Sequence, residues 1–298
     1  MDRQRLIRER FRFSTGPYSD RVAVLATKHG KERAVARPLR AALGLIVTVR
    51  DEIDTDLLGT FTGEVERVGT PREVAINKAR LGMRASGIPL GLASEGSFGP
   101  HPLIPFLIAS DHEILAFVDD DLGITVVEGI LTEETNFGYC RARTLSDLAA
   151  FMKQAQFPSH ALIVRPNDGI KPGVLFKGIA DLGTLEDAVI RCAAASPDGV
   201  AHVDTDMRAH LNPTRQKAIR RVAFRLARRL ASSCPSCGVP GWGRTGGERG
   251  LPCQACGTPT ELLNHEIFGC PRCAHTDVKP RSDGRQYAEE GECPYCNP

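Results

Sequence analysis

The sequence contains no apolar run long enough to cross a bilayer. Its longest apolar stretches, Leu43–Val49 and Leu103–Ala109, fall far short of the roughly 18 residues a spanning helix needs. No membrane partner is expected. The chain also lacks an excess of charge of one sign: 38 Lys and Arg face 36 Asp and Glu, for a formal net charge of +2. So weak a global field does not draw a protein toward nucleic acid or an anionic surface. Met1–Phe13 mixes arginines with acidic and apolar residues and has none of the apolar core of a secretory signal. The G-x-x-x-x-G-K-[ST] pattern of a P-loop is missing as well. These absences point to a soluble cytoplasmic protein. Its 298 residues suffice for one large domain or two smaller ones.

Paired cysteine is what the sequence has in excess. Eight of its ten cysteines form four C-x-x-C pairs, Cys234/Cys237, Cys253/Cys256, Cys270/Cys273 and Cys293/Cys296. Such a turn sets two thiolates on one side of a tight loop, and Gly238 and Gly257 supply the left-handed residue that closes it. Two such knuckles complete a tetrahedral four-cysteine site, so residues 234–298 are read as a double zinc ribbon holding two structural Zn²⁺ ions. The gaps favour sequential pairing, first knuckle with second and third with fourth, with interleaving as the alternative. A closed site folds its segment and does no chemistry. The segment has six Lys/Arg against eight Asp/Glu, so it lacks the basic footprint of a nucleic-acid binder. A protein partner suits it better than nucleic acid.

Residues 1–20 read as an N-terminal arm and 21–233 as an α/β core with a mixed central sheet and helices on both faces. Strands are expected at Arg21–Ala26, Leu45–Val49, Leu90–Ala93, Ala161–Val164, Val174–Ile179 and Ala201–Val203. Ile114–Val118 and Ile124–Leu131 should form a hairpin about the turn 119–123. Helices are expected over Lys31–Leu43, where Pro38 is a kink or the true start, and over Leu145–Gln156. Thr70-Pro71-Arg72-Glu73 has the form of a capping box opening a helix to Ser86. Thr184 with Asp187 caps Leu185–Ala195, and Asn212-Pro213 caps a long helix to Ser233. That last helix carries an apolar stripe through Ile219, Val222, Ala223, Leu226 and Leu230 and a basic face through Arg220, Arg221, Arg225, Arg228 and Arg229. The basic face is either solvated or meets an acidic partner. Cys140 and Cys192 are read as buried small apolar residues.

Ligands of open α/β sheets gather beyond the carboxyl ends of strands, and three polar segments fall there. Thr27-Lys28-His29-Gly30-Lys31 offers backbone N–H groups, a hydroxyl and two ammonium groups, which suit a phosphate or form an ordinary turn. Glu95 within Ser94–Pro102 could hold Mg²⁺ or orient water, or serve as a local cap. Thr205–His210 gathers Asp206, Arg208 and His210, an anion clamp with proton carriers.

The order of these motifs over residues 21–139 distantly resembles the inosine triphosphate pyrophosphatase family, with similarity also to the Maf-type pyrophosphatases. Thr27 and Lys31 match its first loop, Glu73-Val74-Ala75-Ile76-Asn77-Lys78-Ala79 its E-N-A-x-x-K-A helix, and Ala93-Ser94-Glu95-Gly96 its acidic turn. Asn136-Phe137-Gly138-Tyr139 matches its G-F-G-Y segment. His29 stands where Asn is usual, and one carboxylate replaces two. The resemblance implies hydrolysis of the phosphoanhydride bonds of a nucleoside triphosphate. Lys31 and Lys78 would bind phosphate, with Thr27, Lys28 and Arg208 beside them. Glu73 and Glu95 would hold Mg²⁺, Glu95 or Asp206 would help activate water, and Phe137 and Tyr139 would lie against the base. The whole chain also resembles an uncharacterised bacterial family that joins such a core to paired zinc ribbons. A sensing protein that binds the same phosphorylated ligand without turnover is the alternative to an enzyme.

Overall fold

The computed structural model describes residues 16–50, 69–102 and 108–298. The described residues form a mixed α/β protein whose strands divide among three sheets. β1 (Val22–Ala26), β2 (Ile46–Val49), β3 (Leu90–Pro100), β4 (Ala109–Asp119) and β5 (Ile124–Thr132) form the first, in the order β2-β1-β3-β4-β5. β1 runs parallel to both neighbours, whereas β3, β4 and β5 are antiparallel. The helix α1 (Glu32–Leu43) covers one face and α2 (Pro71–Ser86) the other.

α2 begins as the capping box predicts: the Thr70 hydroxyl accepts the Glu73 N–H, and the Glu73 carboxylate accepts the Thr70 N–H at 2.8 Å. α1 starts at Glu32 and runs through Pro38, so this proline does not mark its start. β4 and β5 form the expected hairpin.

β6 (Tyr139–Ala142), β7 (Leu162–Pro166), β8 (Phe176–Ile179) and β9 (Ala201–Thr205) make a separate antiparallel sheet, β6-β9-β7-β8. The single central sheet expected from the sequence is therefore two sheets. The first sheet buries both sets of its alternating side chains between helices, and the second buries its inner set under helices of its own. A 3-10 turn (Leu145–Leu148) leading into α3 (Ala149–Ala155) and the helix α4 (Leu182–Ala195) cover the second sheet. α4 starts one turn earlier than expected: Asp181, not Thr184, is its cap, accepting the Thr184 N–H at 2.8 Å.

α5 (Pro213–Leu230) packs beside α1 on the first sheet. Its expected stripe, Ile219 to Leu230, is buried there with Leu92, Leu115 and Phe117. The basic face is largely engaged by the protein itself. Arg221 pairs with Glu134 at 2.8 Å, Arg225 donates to the Gly129 carbonyl, and Arg229 pairs with Glu128 at 2.8 Å. Of the expected arm, residues 16–20 are described, and Tyr18 is fully buried against Phe117. Cys192 is buried but Cys140 only half so. No helix among the described residues is long and apolar enough to cross a membrane.

The C-terminal strands β10 (Gly243–Arg249), β11 (Leu263–Gly269) and β12 (Thr276–Pro280) form a three-stranded antiparallel sheet. This module is fastened to the core. Val239 lies in the same hydrophobic cluster as α5, and Arg229 donates from Nε to the Gly241 carbonyl at 3.1 Å.

Candidate functional site

The four knuckles sit at the ends of the C-terminal sheet, and their pairing is interleaved. Cys234 and Cys237 converge with Cys270 and Cys273, and Cys253 and Cys256 with Cys293 and Cys296. This corrects the sequential pairing read from the gaps. β10 is 7 residues long, or roughly 23 Å at the usual rise per residue, so it carries the chain to the far end of the sheet before the second knuckle. β11 brings it back for the third. Sequence neighbours are thereby held apart, and alternate knuckles meet.

Within the first tetrad Cys234 and Cys273 Sγ are 3.7 Å apart, and Cys237 and Cys270 Sγ 3.6 Å. The second shows 3.9 Å for Cys253 and Cys296 and 3.6 Å for Cys256 and Cys293. These spacings are far from a disulfide bond of about 2.05 Å. They match the edge of a tetrahedron about an ion with metal–sulfur bonds of about 2.3 Å, which is about 3.8 Å. Both tetrads could thus hold a zinc ion. Gly238 and Gly257, at φ +71° and +73°, close their knuckles by donating N–H to the carbonyls of Cys234 and Cys253, both at 2.9 Å. The third knuckle has no glycine. There the N–H groups of Arg272 and Cys273 both donate to Cys270 Sγ at 3.3 Å.

A second constellation lies in the core, where two loops far apart in sequence meet. Thr27–Lys31 leaves β1 and enters α1, while Asp206–His210 leaves β9 and leads to α5. The rings of His29 and His210 stack with centroids 5.5 Å apart. Gln216 on α5 donates to the Gly30 carbonyl at 3.2 Å. Gly30 has φ +64°, and a Cβ there would stand 3.3 Å from His210 Cβ, so the close approach favours glycine. Burial, and then the Arg208 charge, hold His210 below its ordinary pKa, and Arg33 adds to this.

Beneath these loops the first sheet carries buried charge on both faces. β3 runs unbroken through Glu95, because it pairs with β4 from Leu90 to Pro100. The expected flexible loop after Ala93 is instead a strand. Glu95 points toward α2 and pairs with Lys78 at 2.9 Å, both side chains being less than a tenth exposed. On the α1 and α5 face, Lys31 Nζ donates to the Ser94 carbonyl at 2.8 Å. Arg215 binds Glu113 there at 2.6 Å, and its guanidinium lies 4.9 Å from the Phe98 ring centroid. Gly96 faces Glu113 across the ladder, and a Cβ there would come within 2.6 Å of the Glu113 carboxylate. Burial, then Arg215, pushes Lys31 down to about 8. Burial, then Glu113, pushes Asp111 up to about 8.

The other expected site residues are dispersed. The Thr27 hydroxyl accepts the His29 N–H, and Lys28 is exposed in the same loop. The Glu73 carboxylate is engaged in its cap. Among the described residues no group of three carboxylates converges, and the two cysteine tetrads are the metal-ligating groups of that size. Arg208 grips Asp206 with Nε and Nη2, the latter at 2.6 Å, and Asp206 also accepts the Gly178 N–H at 3.1 Å. Phe137 stacks on Phe98 at 6.0 Å and lines a cavity of about 200 Å³ with Ile163, Arg165 and Asp204. Tyr139 lies outside that cavity, exposed and stacked on His202 at 5.1 Å. Sequence reasoning missed Asp111, Glu113 and Arg215. An Asp-x-Glu just before the expected strand Ile114–Val118 was the signal for the first two, since in a strand it turns two carboxylates to one face.

Fold and sites together define a mixed α/β protein carrying two cysteine tetrads able to bind metal. A family model described as a domain of unknown function (DUF6671) matches residues 78–298. The chain belongs to that family. No curated protein matches it.

Proposed function

We propose that the core is a phosphohydrolase acting on a nucleoside triphosphate-like substrate, and that two structural Zn²⁺ ions hold the C-terminal module in place. The observation that carries the first part is the meeting of the Thr27–Lys31 and Asp206–His210 loops through His29 and His210. It brings Arg33 and Arg208 near His210, with Lys28 exposed in the same loop and the Lys31 ammonium turned inward to the Ser94 carbonyl. The start of α1 lies there too, and its cap residue, Lys31, makes no side-chain hydrogen bond to the first turn. Cations beside a helix N-terminus suit a polyphosphate, and such catalysis rests mainly on positioning and charge neutralisation. The convergence of four sulfurs in each tetrad, with contacts of 3.6–3.9 Å between them, supports the zinc assignment. Tyr287 and Tyr295, exposed on the module, suit contact with a protein partner.

One observation favours binding without turnover. Glu95 and Asp206, the carboxylates expected to activate water, are held by Lys78 and Arg208. The experiment is a screen of canonical and deaminated nucleoside triphosphates for Mg²⁺-dependent release of pyrophosphate. Release supports the hydrolase. Saturable binding without release supports the sensing protein, and neither binding nor release rejects both.

A further inference from the structure

β12 is an edge strand of the C-terminal sheet, and all 5 of its residues, Thr276–Pro280, are exposed. Where β11 turns into β12, the Cys270 N–H donates to the His275 carbonyl at 3.1 Å. Hydrogen-bonded and non-hydrogen-bonded pairs alternate along an antiparallel ladder. This ladder runs without a register shift from Gly269 opposite Thr276 to His265 opposite Pro280. Asp277 and Lys279 therefore direct their backbone groups to β11, while Thr276, Val278 and Pro280 direct theirs outward. Pro280 has no N–H to lose on that side. Among the described residues nothing binds those outward groups.

Proteins guard such edges with bulges and with charge. The opposite edge, β10, has register shifts at Arg244/Gly246 and Glu248/Arg249, which spoil it as a template. β12 is regular, and its charges do something other than repel. Asp277 and Lys279 flank Val278 on one face of the strand, 3.4 Å apart and about half exposed. An antiparallel copy centred on Val278 sets Asp277 opposite the partner's Lys279, and Lys279 opposite the partner's Asp277. Sliding by two residues either way, which keeps the faces matched, sets Asp277 against Asp277 or Lys279 against Lys279. Opposite charges across a ladder stabilise it and like charges destabilise it, so one register is favoured. In that register Val278 exchanges both its backbone hydrogen bonds with its counterpart. Each Thr276 N–H meets the partner's Pro280 carbonyl, the group that proline retains.

We propose that β12 is a docking edge for a second copy of this chain, pairing antiparallel with the partner's β12 about Val278. The two three-stranded sheets then continue into one another. The contact is isologous, so its two-fold axis closes the assembly at a dimer and leaves no edge to propagate a fibre. Val278, 50 % exposed in the single chain, meets its own counterpart on the axis. Two short strands bury little area, so the dimer is weak and forms and parts with protein concentration. An unrelated strand could use the same outward groups, but only a second copy explains why Asp277 and Lys279 complement each other about Val278. The proposal is independent of the phosphohydrolase reading of the core.

The test is sedimentation of the full-length, zinc-replete protein up to several hundred micromolar, where the mass should rise from one chain toward two. Asp277→Lys and Lys279→Asp each set like charges across the ladder, and each should weaken self-association at least about tenfold. An equimolar mixture of the two variants restores both opposite-charge contacts in the mixed dimer and should associate as the wild type does. Amide exchange followed by NMR supplies a readout that needs no variant. With rising concentration Thr276 and Val278 should gain protection, whereas Asp277 and Lys279, already bound to β11, should not. Full zinc content and an unshifted melting temperature show that each variant is folded; if Lys279→Asp is not, Asp277→Lys and the exchange pattern decide. A protein that stays monomeric throughout, or a dimer indifferent to both reversals, overturns the proposal. So does a dimer that leaves the Val278 amide unprotected, since another surface then makes the contact.

Discussion

Cys237 and Cys270 bring their sulfurs to 3.6 Å although 33 residues separate them, while Cys253, the nearer cysteine of the next knuckle, belongs to the other tetrad. This crossing has a direct test. A chain ended after Gly269 loses half of each tetrad and should bind no zinc at stoichiometric levels. Sequential pairing would leave one complete site and one ion. Metal analysis of the full and shortened chains separates the two, with about two Zn²⁺ and none as the expected pair of values.

Removing the metal should also weaken the core. Val239 lies in the core cluster, Cys237 packs against it, and Arg229 joins Glu128 to the Gly241 carbonyl. Because zinc binding is coupled to folding, chelation should lower the denaturation midpoint of the core as well as expose residues 234–298 to protease. Arg229→Ala should reduce that coupling. Protease release with no change in the core midpoint would mean that the module folds independently.

Glu95→Gln should destabilise the protein rather than leave it unchanged. The carboxylate faces Lys78 at 2.9 Å with both side chains buried, and breaking such a pair from one side costs about 3–5 kcal/mol. Joint replacement, Lys78→Met with Glu95→Gln, should recover much of the loss. Urea unfolding of the single and double variants measures this. A single variant as stable as wild type would show that the pair is weak.

Acid should destabilise the fold partly through His160. Its Nε2 accepts the Thr214 N–H at 3.1 Å at the start of α5, a role open only to the neutral ring. Burial holds its pKa below the ordinary value of 6.5. The unfolded chain therefore binds the proton more readily. The stabilisation is present above about pH 6.5 and is lost as the pH falls through the folded-state value. Denaturation at pH 7.5 and 5.5 should show the fall, and His160→Gln should flatten it. An unchanged slope in the variant would assign the acid sensitivity elsewhere.

Gly96→Ala should cost about 1–3 kcal/mol, as overpacking generally does. The new Cβ would lie 2.5 Å from Arg215 Nη2 and 2.6 Å from Glu113 Oε1. Thermal melting reads the loss. An unshifted melting temperature would mean that the Arg215–Glu113 pair can move aside.

The sequence by itself determined what closes within a few residues. The Thr70 and Glu73 cap, the Asn212 cap that accepts the Arg215 N–H at 2.9 Å, the β4–β5 hairpin and the four cysteine knuckles are all local. Their partners lie three or four residues away or across one short turn, so the chemistry of the residues fixes them. Tertiary structure alone decided which knuckles meet, that the strands form two sheets in the core, and that Glu95 lies within a strand against Lys78. It also brought Arg215 to Glu113 across 102 residues and His29 to His210. Strand direction, ladder register and the packing of α5 set those meetings. None of them leaves a periodic trace in one chain, because each depends on where a distant segment returns.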